Sequence, residues 1–137
     1  KAHKRAQADG YGFIIYDAYR PLSVTRTLWD VTPPRLRNYV ANPKKGSKHN
    51  RGCAIDMTLC DLSSGEAVEM PTPYDEFSQR AHRDYAGASA AAIANRERLE
   101  SYMQAEGFRG ISNEWWHFDF QGWEDYPILD IAFDDIA

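Results

Sequence analysis

The 137-residue chain has only two cysteines, too few for a disulfide framework. Cys53 and Cys60 lie seven apart in a segment that alternates like a strand, so they project from opposite faces and do not pair. Long hydrophobic runs are also lacking. The longest, AAAIA at 90–94, falls far short of the roughly 20 apolar residues a membrane-crossing helix needs, so no membrane span is expected. Lys1, His3, Lys4 and Arg5 open the chain with no hydrophobic stretch behind them, so no secretory leader is visible. Unpaired thiols and no visible leader point to the cytoplasm, or to the periplasm for a chain that has lost its leader. Repeats and low-complexity segments are absent. The length leaves room for one domain, and 43% hydrophobic residues suffice to fill its core.

Charge is unevenly spread behind a net value of −4. Residues 1–51 carry 11 Lys and Arg against three acids, whereas the remainder carries 5 Arg against 17 acids. A basic half can mark a nucleic-acid arm. Here the basic residues are interleaved with Tyr, Pro and apolar positions, and the acidic half offers them partners within the chain. Mutual attraction of the two halves is the expected arrangement, with no nucleic-acid partner.

Residues 1–9 read as a helix end stopped by Gly10 and Gly12, followed by a largely buried strand over Gly12–Asp17. Five prolines and glycines over residues 21–46 suit a surface connection, with helical turns around Ser23–Asp30. In a second strand, Cys53–Leu59, apolar Cys53, Ile55, Met57 and Leu59 alternate with small or polar Ala54, Asp56 and Thr58. Ser63–Glu66 supplies a turn, and Ala67–Met70 reads as a returning strand. Ser89 is the expected N-cap of a helix over Ala90–Glu106, with Gly107 at its C-terminal end and Ala92, Leu99, Tyr102 and Met103 on its core stripe. A last strand, Trp115–Phe120, precedes an acidic tail. Strands and helices do not alternate regularly, which gives an α+β fold rather than a doubly wound sheet.

Chemistry concentrates around two of the four histidines, in Ser47-Lys48-His49-Asn50-Arg51-Gly52-Cys53-Ala54-Ile55-Asp56 and Glu114-Trp115-Trp116-His117. A catalytic zinc site takes three protein ligands and leaves a fourth position for water, and His49, Asp56 and His117 would supply the three. His49 and Asp56 are an odd spacing apart, so they converge only if Asn50-Arg51-Gly52 turns, which Gly52 permits. The competing reading pairs Asp56 with Arg51. Glu114 and His117, three apart, face one way only if a turn or bulge falls at Trp115-Trp116. Glu114 is then placed as general base. At least one of the tryptophans reads as plain core. His3 reads as surface and His82 as loop or as support to the site. Arg20 closes its strand just before Pro21; spacing alone makes it a structural ion pair, and a position facing the site would let it stabilise an oxyanion.

Taken together, these residues resemble the VanX-type D-alanyl-D-alanine dipeptidases, a zinc family related to D,D-carboxypeptidases and to the hedgehog signalling domain. The resemblance covers nearly the whole chain. It rests on Asp17–Pro21, the SxHxxGxAxD pattern of Ser47–Asp56, Thr72-Pro73-Tyr74-Asp75-Glu76-Phe77, and ExxH at Glu114–His117. It implies a small antiparallel sheet with packed helices, zinc on His49, Asp56 and His117, Glu114 as catalytic base and Arg20 at the tetrahedral intermediate. It further implies that Ser47 and Asp75 hold the ammonium group of the D-alanyl-D-alanine substrate, since a buried cation must be paired. Residues 1–137 thus read as a single zinc peptidase domain without the N-terminal segment that family members carry. Two alternatives stand beside the dipeptidase: a D,D- or L,D-carboxypeptidase on cell-wall peptides, and a non-catalytic zinc-binding recognition module. The module predicts loss of the base, yet Glu114 is there. Oligomeric state is not legible.

Overall fold

A computed structural model describes residues 1–136. The described elements are α1 (Ala2–Ala8), β1 (Tyr11–Asp17), α2 (Leu22–Val31), β2 (Ala54–Asp61), α3 (Ala90–Gln104), β3 (Phe108–Ile111) and β4 (Glu114–Phe120), joined by short 3-10 turns. One four-stranded antiparallel sheet has the order β1-β2-β4-β3, which is the expected α+β architecture. No described helix is long and apolar enough to cross a membrane.

The helices follow their local signals. Ser89 Oγ accepts from the Ala92 amide at 3.0 Å, and Gly107, at φ +84°, takes the left-handed conformation just beyond the α3 end. Ala92, Leu99, Tyr102 and Met103 are buried as expected, and Arg96 joins them. Helix α2 starts directly after Pro21, and Asp130 of the acidic tail accepts from the Ser23 amide at 2.7 Å, satisfying a helix-end donor from across the chain. Arg5–Glu106, Arg26–Asp130 and Lys48–Asp119 likewise join the basic half to the acidic one.

A hydrophobic core packs the sheet against helices α1 and α3. It contains Ala6, Met57, Leu59, Leu99, Met103, Trp115, Trp116 and Phe118, so both tryptophans are core residues. The opposite face of β2 carries Asp56 and Thr58, buried as completely as Met57 and Leu59. A central strand is covered on both sides; Asp56 finds partners there, whereas the Thr58 hydroxyl makes no hydrogen bond among the described residues.

Two expectations need correction, and one strand went unforeseen. Strand β1 is not largely buried: it lies at the sheet edge, and Ile15 and Tyr16 are 49% and 39% exposed. Ala67–Met70 forms no strand, only an isolated bridge between Ala67 and Cys60, because Pro71 and Pro73 follow at once and cannot donate to a ladder. The short strand β3 had no separate signal, since Gly110 interrupts its apolar pattern. Cys53 and Cys60 are both buried free thiols.

Candidate metal centre

The expected turn is present. His49–Arg51 form a single 3-10 turn closed by Gly52 at φ +66°, and β2 begins two residues later. Arg51 points elsewhere: its guanidinium donates to the Tyr126 carbonyl and lies 5.2 Å from the Trp123 ring centre, so the Asp56–Arg51 pairing is not formed. Asp56 instead sits opposite His117 in the β2–β4 ladder, with Oδ1 2.9 Å from His117 Nδ1. His49 Nε2 approaches the same histidine nitrogen at 3.2 Å and Asp56 Oδ1 at 3.3 Å. One donor atom from each of these three buried residues lies within 4.8 Å of the others, an arrangement fit to hold a metal ion.

The remaining nitrogens of the two histidines are tied down. His49 Nδ1 donates to the Ala18 carbonyl at 2.7 Å, and His117 Nε2 donates to Asp119 Oδ1 at 2.8 Å. Each bond selects the tautomer that turns the other nitrogen toward Asp56, as outer partners do in histidine metal sites. Tyr74 donates to Asp56 Oδ2 at 3.1 Å, and this leaves Oδ1 facing the histidines. Asp119 and Tyr74 escaped the sequence reading. For Asp119 there was a signal: two residues beyond His117 on a strand means the same face.

Glu114 and His117 also converge. Pairing of β3 with β4 runs Gly110 opposite Phe118, then Ile111 opposite Glu114, so residues 115–117 bulge out of the ladder. Both side chains line one cavity, with Glu114 Oε2 3.9 Å from His117 Nδ1. Arg20, Ser47, His49, Asp56 and Asp75 line the same cavity, which encloses about 460 Å³. Arg20 is anchored by its ion pair to Asp17, the Nε–Oδ2 distance being 2.7 Å, while it still borders the cavity. The ion-pair reading and the site-facing reading therefore describe one side chain. Ser47 Oγ accepts from the His49 amide at 3.2 Å, and Asp75 holds a left-handed φ of +60°. Neither His3, exposed beside Phe13, nor His82, whose carbonyl accepts from Arg96, reaches the cavity wall.

Asn50, fully buried, organises this wall. Its amide nitrogen donates to the Arg20 carbonyl and to Thr25 Oγ1, each at 2.8 Å, and its oxygen accepts from the Ser47 amide at 2.7 Å. No sequence pattern marked it, because its partners come from three separate segments.

Burial and charge set the protonation states. Burial raises the Glu114 carboxyl; His117 opposes that, while Asp56 and Asp75 add to it, and the result is about 7. Burial alone would lower His117, but hydrogen bonds to Asp119 and Asp56 outweigh it and lift the imidazole to about 9. For Asp56, burial is overcome by hydrogen bonds from His117 and His49, which hold its carboxyl far below the usual range. Asp75 is raised by burial and by Asp56, against the pull of Arg20.

Comparison with known proteins agrees with this geometry. A family model for peptidase M15, described as D-ala-D-ala dipeptidase, matches residues 1–133. The chain is 41% identical to a D-alanyl-D-alanine dipeptidase of Escherichia coli, over 90% of this chain and 63% of that protein. A protein of the same name from Enterococcus faecium is 35% identical over 93% of this chain and 70% of its own length. Another, from Streptomyces coelicolor, is 31% identical over 98% of this chain and 73% of its own length. The chain thus spans about two thirds of the length of these relatives.

Proposed function

The chain belongs to the peptidase M15 family, and on that premise we propose that it is a zinc-dependent dipeptidase hydrolysing D-alanyl-D-alanine. The observation that carries this reading is a buried carboxyl, Glu114, raised to about 7 beside the His49–Asp56–His117 group on the wall of one cavity. Two imidazole nitrogens and one carboxylate oxygen suit zinc, and three protein ligands are the number found in its catalytic sites. Bound there, zinc supplies a Lewis acid that polarises the scissile carbonyl and acidifies water.

The chain's own residues supply the proton traffic and the electrostatics. Glu114 takes the proton of the attacking water and delivers it to the nitrogen of the leaving D-alanine as the C–N bond breaks; burial, which raises its carboxyl, favours the uptake of that proton. Arg20, held in place by Asp17, donates to the carbonyl oxygen as it becomes negative. Asp75 and Ser47 receive the substrate's ammonium group. That cation favours the charged form of Asp75, opposing the effect of burial.

The test is release of D-alanine from D-alanyl-D-alanine by the zinc-loaded chain, with an N-acylated D-alanyl-D-alanine peptide assayed alongside. Cleavage of the free dipeptide alone is expected. Cleavage of the acylated peptide instead would assign a carboxypeptidase, a reading favoured by one observation: the cavity also takes in Leu28, Thr32 and Tyr39. Its volume falls in the roughly 300–1,000 Å³ range of pockets for ligands larger than a dipeptide. Cleavage of neither, with zinc bound, would overturn both.

A further inference from the structure

The bulge at 115–117 removes backbone groups of β4 from the β3 ladder, and one side chain replaces the missing donors. Arg83 Nε donates to the Ile111 carbonyl at 2.8 Å, while Nη2 donates to the Trp115 carbonyl at 3.1 Å and the His117 carbonyl at 2.8 Å. Its third nitrogen, Nη1, lies 3.3 Å from Glu100 of α3, and the guanidinium stacks 4.5 Å from the Phe118 ring centre. The Arg83 amide donates to the Ser112 carbonyl at 2.9 Å, so both ends of the residue grip the β3–β4 connection. Gly110 makes the space: a Cβ there would stand 2.1 Å from the guanidinium carbon. Arg96, one helical turn before Glu100, donates to the Tyr85 carbonyl at 2.9 Å and steadies the turn that carries Arg83.

We propose that Arg83 is a positioning residue for the reaction, holding the 115–117 bulge so that Glu114 and His117 open onto the same cavity. Without the bulge, strand alternation sends residues three apart to opposite faces, and base and metal ligand part company. Only a planar fork of several N–H groups serves three carbonyls at once; a lysine ammonium on a flexible stem does not reproduce that geometry. Arg83 touches neither substrate nor metal and acts through the backbone of its neighbours. The proposal rests on the dipeptidase reading for its kinetic consequence, whereas its consequence for metal binding stands apart from it.

The experiment compares Arg83→Met, Arg83→Lys and Gly110→Ala with a core control, Leu99→Ala, at a temperature where circular dichroism shows each folded. Zinc affinity is measured by competition with a chromophoric chelator, and kcat and KM on D-alanyl-D-alanine. For Arg83→Met we expect kcat to fall on the order of 10²-fold, as small misplacements of catalytic groups do, with KM within about threefold. Zinc affinity should fall about 10- to 100-fold. Arg83→Lys should lie between wild type and Arg83→Met, and Gly110→Ala, which displaces the guanidinium, should reproduce the loss if Arg83→Met fails to fold. Leu99→Ala should lose thermal stability and keep both kcat and zinc affinity. Folded Arg83 and Gly110 variants that behave like Leu99→Ala would overturn the proposal. If the wild-type chain does not cleave the dipeptide, the functional reading fails, and zinc affinity alone still decides the role of Arg83.

Discussion

Neighbouring residues of β2 serve opposite purposes. Met57 and Leu59 enter an apolar core with Leu99 and Phe118, while Asp56, one residue away and equally buried, is surrounded by His49, His117 and Tyr74. The core face is defined by volume. The site face is defined by pairing: a buried polar group left without a partner costs about 1–3 kcal/mol, so its geometry tolerates less change of residue type.

That contrast predicts effects of different kind as well as size. The largest is expected at Glu114: Glu114→Gln should lower kcat by about 10²–10⁴ while zinc still binds, measurable by steady-state turnover alongside metal analysis. A variant that binds zinc and keeps wild-type turnover would remove Glu114 from the reaction. Met57→Ala should do the reverse, costing about 2–5 kcal/mol in denaturant unfolding through the cavity it leaves, with kcat of the folded protein unchanged. Loss of kcat without loss of stability there would erase the distinction between the two faces.

A smaller effect is expected from Asp119→Asn, which keeps the shape but weakens the hold on His117 Nε2. Zinc affinity should fall about 10- to 100-fold in a chelator competition, with little change in unfolding midpoint. Unaltered affinity would show that the β2–β4 pairing alone orients the ring.

Smallest is the pH dependence of the metal-free protein. His117 rises from 6.5 to about 9 on folding, so its stabilising contribution is full below 6.5 and is lost as pH climbs through 9. Glu114 rises from 4.5 to about 7, and folding binds protons there too, so stability again drops between pH 4.5 and 7. The thermal midpoint without metal should therefore decline by several degrees from pH 5 to 9. Zinc should oppose the decline, because its binding displaces the proton on His117 and strengthens as pH rises. A midpoint that climbs over that range without metal would contradict the assigned protonation states.

Much of the site was legible because its residues lie in short motifs whose local conformation follows from residue type. Gly52 allowed the turn that brings His49 back toward Asp56, and the spacing of Glu114 and His117 demanded an irregular strand. Edge and centre were not legible: the Gly12–Asp17 run is as apolar as a buried strand, yet it lies at the rim with Ile15 and Tyr16 open. Nor was the apparent return strand at Ala67–Met70 distinguishable from a single bridge, since two prolines beyond it decide how far pairing extends.

Composition, periodicity and motif order were enough to establish an α+β domain, its principal helix, and the three residues able to converge on a metal. These properties are signalled within single elements and short motifs, where backbone preference and side-chain alternation act locally. The tertiary structure alone decided that β2 runs between β1 and β4, that Asn50 joins three segments, and that Arg83 sustains the bulge from 28 to 34 residues away. A hydrogen bond across such a distance leaves no periodic trace in the chain. Its partners are chosen by which carbonyls remain unpaired once the sheet has closed.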